Sequence, residues 1–208
     1  MNLDLGGLTR AMRLLILVTW LMVPILVGAY HYGPGQDRLR LDDAAGCLAN
    51  AERCAVDGKW ADAVAAYDDA LRLLPPERIA DARRIRLERA KAMMLAKQLP
   101  AAHDDLKNLA SELAADKTSD PKLSAQARST LANSQYYMTW LMRLEGLSKD
   151  VWEPEVEAAR QEYRLLAEQA ESAGDTLSAK KHREDLESTI RLARMDIAEL
   201  QGLPLPSQ

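Results

Sequence analysis

Apolar residues follow two regimes along the chain. From Leu14 to Tyr30 they form a run, LLILVTWLMVPILVGAY, with no charged residue in 17 positions. Beyond Leu41 they thin into stripes spaced three and four apart, the rhythm of helices that turn one face to a core. The stripes predict helices at 42–57, 60–73, 77–97, 100–114, 121–145, 150–172 and 176–201. Their ends carry punctuation. Asp120-Pro121 is an N-cap followed by proline at the first helical position. Asp150 and Glu153 have capping-box spacing, with Asp150 as the cap. Gly174-Asp175 closes one helix and opens the next.

The N-terminal run lies at the lower limit of the roughly 17–25 residues that cross a hydrocarbon core of about 30 Å. Arg10 and Arg13 precede it, whereas the next charges, Asp37 and Arg38, partly cancel. The positive-inside rule then leaves the N-terminus in the cytoplasm and sends the body across. Val27-Gly28-Ala29, with Pro24 ahead of it, has the shape of a signal-peptidase site. Two readings follow. One is an anchor retained in an inner or plasma membrane, single-pass, with Tyr30 and Tyr32 at the lipid interface. The other is cleavage after Ala29 and a secreted body. The length of the run favours the anchor. The chain therefore divides into an anchor or signal segment (1–31), a linker (32–41), a helical domain (42–201) and a short tail (202–208). The linker reading rests on the turn-rich His31–Gln36, where Gly33-Pro34-Gly35 breaks a helix. His31 reads as an interfacial side chain.

Within the body a pattern recurs. The segment GKWADAVAAYDDALRLLP places Gly58 and Trp60 at a turn, then Ala63, Tyr67 and Ala70 on one helix face, and Pro75 at its end. Ala51 lies twelve residues before Ala63, on the preceding stripe. Small residues at both positions let two antiparallel helices approach closely. Ala90 and Ala102 repeat the twelve-residue spacing, with Leu106 and Leu109 behind them and Pro100 near the helix start. There Lys97 replaces the turn glycine, and Arg89 stands where an apolar residue is expected. A third set runs from Leu131-Ala132 to Ala159, Tyr163 and Leu166, with a gap of 27 residues across the loop 145–149.

This arrangement resembles the tetratricopeptide repeat (TPR), most clearly over residues 44–77. The resemblance implies an all-α, TPR-like α-solenoid of about three helix hairpins with a C-terminal capping helix; the apolar run places one transmembrane helix before it. In it Ala51, Trp60, Ala63, Tyr67, Ala70, Ala90 and Ala102 are repeat-packing residues. It also implies a concave, partner-binding wall on the first helix of each pair: Leu48, Glu52 and Ala55, then Arg84, Leu87, Lys91 and Met94, then Gln126, Asn133 and Tyr136. Of these, Arg84, Lys91, Met94, Asn133 and Tyr136 are the candidate binding residues. Cations with an amide donor suit a carboxylate or acidic peptide.

The last predicted helix carries Leu186, Ile190, Ala193, Ile197 and Leu200 in a narrow 4-3-4-3 seam. It reads as a cap, apolar inside and polar outside. The alternative is a self-associating seam that makes a homo-oligomer. Tyr136, Tyr137, Met138, Trp140 and Met142 crowd one long helix, some for the core and the rest for an interface.

Composition narrows the function classes. A net charge of −4 lacks the basic field that holds nucleic acid. His31, His103 and His182 stand singly, without metal-ligand spacing, and no nucleophile-elbow or phosphate-loop motif occurs. Asp68-Asp69 and Asp104-Asp105 read as solvated surface. Cys47 and Cys54, seven apart on one helix face, are about 10 Å apart at 1.5 Å per residue, too far for a disulfide, and read as small buried apolar residues. The expectation is a non-enzyme with no cofactor or metal. It is a membrane-tethered scaffold, attached through residues 14–30, that binds a protein or peptide, for instance in assembly of a cell-envelope complex. An oligomeric structural protein is the runner-up, and a small-ligand binder or enzyme comes behind both.

Overall fold

The computed structural model describes residues 5–32 and 34–202, with side chains described for 12–28, 30 and 38–202. Residues 203–208 of the expected tail, Gly33 and the His31 side chain lie outside that range. All regular elements among the described residues are α-helices: α1 Leu5–Tyr32, α2 Pro34–Val56, α3 Trp60–Leu73, α4 Ile79–Leu95, α5 Leu99–Ala115, α6 Pro121–Leu144, α7 Lys149–Ser172, α8 Thr176–Arg194 and α9 Ile197–Gly202.

From α2 to α8 each helix packs chiefly on its neighbours in sequence, and α4 also touches α6. The hairpins close on alanine. Ala51, Ala63, Ala90, Ala102, Ala132 and Ala159 are all at most 1% exposed. The first four share one core with Tyr67, Leu87, Leu106 and Leu109, and Ala132 and Ala159 meet at Tyr163. Methyl side chains at these crossings let the helix axes come close, and larger neighbours fill the flanks. Ala70 and Tyr67 are buried as expected, whereas Trp60 is half-exposed. Cys47 and Cys54 are free thiols, partly buried against the core.

The turns repeat as faithfully as the core. After α2, α4 and α6 the chain passes through a left-handed residue: Gly58 (φ 73°), Lys97 (φ 63°) and Gly146 (φ 77°). In each case the next amide reaches back five residues: Lys59 N to Cys54 O (2.8 Å), Gln98 N to Met93 O (2.9 Å) and Leu147 N to Met142 O (3.0 Å). This is the Schellman closure, which satisfies carbonyls that the helix end leaves free. Lys97 thus takes a glycine's conformation. Gly174 (φ 75°) ends α7 in the same way.

Arginines on α4 fix its register against α5. Arg83 pairs with Asp116 (2.6 Å), Arg86 with Glu112 (2.7 Å) and Arg89 with Asp105 (2.5 Å), descending one helix as they climb the other. The Nε of Arg89 also lies 2.7 Å from Asp68 on α3, an ion pair without hydrogen-bond alignment. Arg89, out of place as an apolar position, is therefore the bridge between two hairpins. Asp68 and Asp105 are its anchors rather than free surface. Partly exposed pairs of this kind contribute about 0.2–1 kcal/mol each, so their value is mainly in specifying register.

Four boundaries differ from the sequence reading. The linker 32–41 is largely helix, because Pro34 suits a first helical position and Ala44 is buried three turns on. The helix α1 continues through Pro24. The helix-opening residue of α7 is Ser148, not Asp150, and Glu153 pairs with Lys149 at 3.1 Å. The last helix does not run to 201. It stops at Arg194, Met195 is extended (ψ 142°), and the Asp196 carboxylate accepts from Glu199 N at 2.7 Å to open α9. The seam for self-association is therefore cut between Ala193 and Ile197. Two side chains hold the cut. The buried Arg143 donates to the carbonyls of Leu192 and Met195 and stacks 4.8 Å from the Trp152 ring, and Leu200 is buried with Trp140, Leu192 and Met195.

Along α1 the apolar side chains face outward: Leu14, Leu15, Leu17, Trp20, Leu21 and Leu26 are all over 60% exposed. Among the described residues no helix is long and apolar enough to cross a membrane. The described side chains of α1 span Met12–Gly28, about 26 Å at 1.5 Å per residue.

Candidate functional site

The first helices of the pairs, α4 and α6, and then α8, present adjacent faces. The trough they form holds two cavities end to end along α4. The larger is about 360 Å³. It is lined by Lys91, Met94 and Leu95 of α4, by Ser129, Thr130, Asn133 and Tyr137 of α6, by Tyr163 of α7 and by Lys181 and Asp185 of α8. The smaller, about 330 Å³, lies between Arg84, Leu87 and Glu88 of α4 and Asp120, Lys122, Leu123 and Gln126 at the start of α6. On both helices the lining positions recur every three or four residues, singly or as adjacent pairs, so one face of each helix is used. From Arg84 to Leu95 the trough runs about 16 Å, the length of some five extended residues.

Three of the five candidate residues, Lys91, Met94 and Asn133, meet in the larger cavity. Arg84 is in the smaller one, mostly exposed and 3.7 Å from Asp120. Tyr136 is in neither. It is half-buried, edge-on to Tyr137 (5.5 Å between ring centres) and tilted against Trp140 (6.1 Å). The next residue, Tyr137, takes its place as a lining group. Leu48, Glu52 and Ala55 of α2 line neither cavity. Lys181 and Asp185 were not identified from the sequence, because the last helix read as a cap or a self-associating seam, with its polar faces turned to solvent. The signal was present: Lys181 and Asp185 are four apart on the helix that follows the last pair.

The larger cavity combines opposite electrostatic tendencies. Lys91 and Lys181 both line it, and the Lys91 ammonium is 2.7 Å from Glu88. Burial raises the Asp185 carboxyl above its ordinary range, against the pull of Lys181 and then His182. Burial also drives the Tyr163 phenol far up, with the Asp185 charge adding to it, and raises Tyr137. His182, beside Asp185 at 3.9 Å, is pushed down by burial. Tyrosines at 163 and 137 are thus neutral donors at any ordinary pH. The lining has two cations, one reluctant carboxylate, hydroxyl and amide donors, and the apolar surface of Met94 and Leu95. That set can hold a mixed apolar and acidic segment.

A second polar string lies deeper. The His103 Nδ1 is 3.2 Å from Ser134 Oγ, and its Nε2 is 3.7 Å from Glu155. The residue types are those of an acyl-transfer triad, but the geometry is not. Ser134 is fully buried and donates its hydrogen to Leu131 O at 2.7 Å, so no substrate reaches it. The string ties α5, α6 and α7 together. Among the described residues no three His, Cys, Asp or Glu side chains gather as a metal site.

No family model matches the chain, and no curated protein matches it either.

Proposed function

We propose that the chain is a membrane-tethered, non-catalytic binding protein. Its body is a TPR-like α-solenoid of three hairpins closed by α8, and it takes a protein or peptide segment in the trough between α4, α6 and α8. The observation that carries the reading is the meeting of Lys91, Met94 and Asn133 in one cavity, together with Lys181. Residues separated by about forty positions converge there as stacked helix pairs would bring them. The matching Schellman turns at 58, 97 and 146 and the alanine pairs at each hairpin support the repeat. The paired lysines favour an acidic segment.

The tether in this reading is α1. Its uncovered leucines and tryptophan would be costly in water and are at ease in lipid. The charges of Arg10 and Arg13 place its start in the cytoplasm and the body on the far side, where it would serve assembly of an envelope complex.

The test uses the full chain in its own membranes. A photoreactive side chain replaces Asn133 in one form and Asn108, exposed on α5, in another. The expected result is one dominant adduct from position 133, absent from 108, and lost when Lys91 and Lys181 are both changed to Glu. Equal labelling at both positions, or labelling indifferent to the charge reversal, would overturn the binding role. For the tether, the protein should stay with the membrane pellet after an alkaline carbonate wash, and its release would count against an inserted α1.

A further inference from the structure

The short helix α9 occupies one end of the trough. Trp140 and Leu144 stand seven and eleven residues beyond Asn133 on α6, which brings both within about 20° of its direction around the helix. They are the continuation of the lining stripe. Yet they are not open. Trp140 is 6% exposed and is buried with Leu192, Met195 and Leu200, and Tyr136 and Leu144 lie against that cluster. Apart from its own connection, α9 makes its main contact with α6.

We infer that α9 is a built-in, displaceable occupant of the trough, and that it competes with the partner for the seat formed by Tyr136, Trp140 and Leu144. The inference rests on the trough being the binding site and adds how access to it is controlled. Three features set α9 apart from a fixed part of the fold. It is held by one buried side chain, Leu200, while Ile197 and Glu199 are exposed. The Trp140 indole N–H is buried without a hydrogen-bond partner, so the seat retains a donor that α9 does not satisfy. The chain also has a ready hinge. Arg143 fastens the carbonyls of Leu192 and Met195, which pins the end of α8 and leaves the pivot at Asp196. An incoming segment that places an apolar side chain where Leu200 lies and offers an acceptor to Trp140 replaces α9 at a gain of one hydrogen bond.

The experiment needs no knowledge of the natural partner. A fluorescent peptide with the sequence of residues 196–208 is titrated against the full chain in detergent, as wild type and as Leu200→Asp. The wild type should refuse the peptide because its seat is filled. The variant should bind it at least tenfold more tightly, and a peptide carrying the same Leu→Asp change should not bind. Equal affinity for both proteins, or no binding to a variant that keeps wild-type helicity, overturns the inference. Should Leu200→Asp not fold, Leu200→Ala supplies the same comparison. Photolabelling from position 133 reports separately: a partner captured equally by wild type and Leu200 variants removes the competition and leaves the binding role, whereas absence of any partner removes the role without touching the peptide result.

Discussion

The guanidinium of Arg83, on α4, lies 2.6 Å from the carboxylate of Asp116, which ends α5. That hydrogen bond, with two more from Thr118, lowers the Asp116 pKa to about 2 from an ordinary 3.8. The folded state therefore holds this carboxylate charged more firmly than the unfolded chain does. The stabilisation is complete above the unfolded pKa and is lost as pH falls toward 2. An Asp116→Asn form should melt below wild type at pH 7, and the two should converge between about pH 4 and pH 2. A melting series across that range checks it, and a constant gap would mean that the pair is not the source.

Lys97 occupies a left-handed conformation that its equivalents at the other turns reserve for glycine. The strain of an L side chain there is about 1–2 kcal/mol. Lys97→Gly should recover about 1 kcal/mol after the added chain entropy of glycine is deducted, a rise of about 2–4 °C in a protein of this size. Gly146→Ala should shift the midpoint the other way. Open space surrounds a Cβ at Gly146, so the loss would report backbone conformation alone. Urea titration of the three proteins decides the matter.

Arg143 is a buried cation whose partners are two carbonyls at the end of α8 and the face of Trp152. Its burial depresses the guanidinium pKa, with Asp196 opposing. Replacement by Met removes charge-assisted hydrogen bonds and orphans the carbonyls, a loss of about 2–3 kcal/mol. Arg143→Lys should rescue only part of it, since an ammonium cannot fork to both oxygens. Protection of α8 and α9 amides from hydrogen exchange should fall in both variants, and more in Arg143→Met.

Asp185 has its pKa raised by burial, so its charged form is less at home in the fold than in the unfolded chain. The penalty is present at neutral pH, fades as pH falls through the raised folded-state value, and is gone below the ordinary 3.8. Asp185→Asn should therefore be more stable than wild type at pH 7 and equal to it near pH 3. It should also strengthen retention of an acidic peptide, because the carboxylate charge that offsets Lys181 is then gone. Weaker retention would mean that the carboxylate itself makes the contact.

Much of this molecule was legible one helix at a time. Seven helical stripes, the alanine pairs at 51 and 63 and at 90 and 102, and the turn at Gly58 follow from periodicity and residue size, which act over a few neighbouring positions. The phase of a helix is also local, and it advances about 100° per residue. That is why Lys91, Met94 and Asn133 share one cavity with Tyr137, whereas Tyr136, one step along the helix, turns away from it. Three facts could come only from the assembled structure. Arg89 looked misplaced until α3 and α5 brought Asp68 and Asp105 to it. Lys181 and Asp185 joined the cavity only because α8 packs back along α7 and brings them beside Asn133 and Lys91. The seam from Leu186 to Leu200 broke at Met195 because Arg143 and Trp140, some fifty residues away, bound the two halves in different directions. Hydrogen bonding and helix propensity are short-ranged and leave their mark in adjacent letters, whereas partner choice between distant side chains depends on crossing angles that no single stretch of chain encodes.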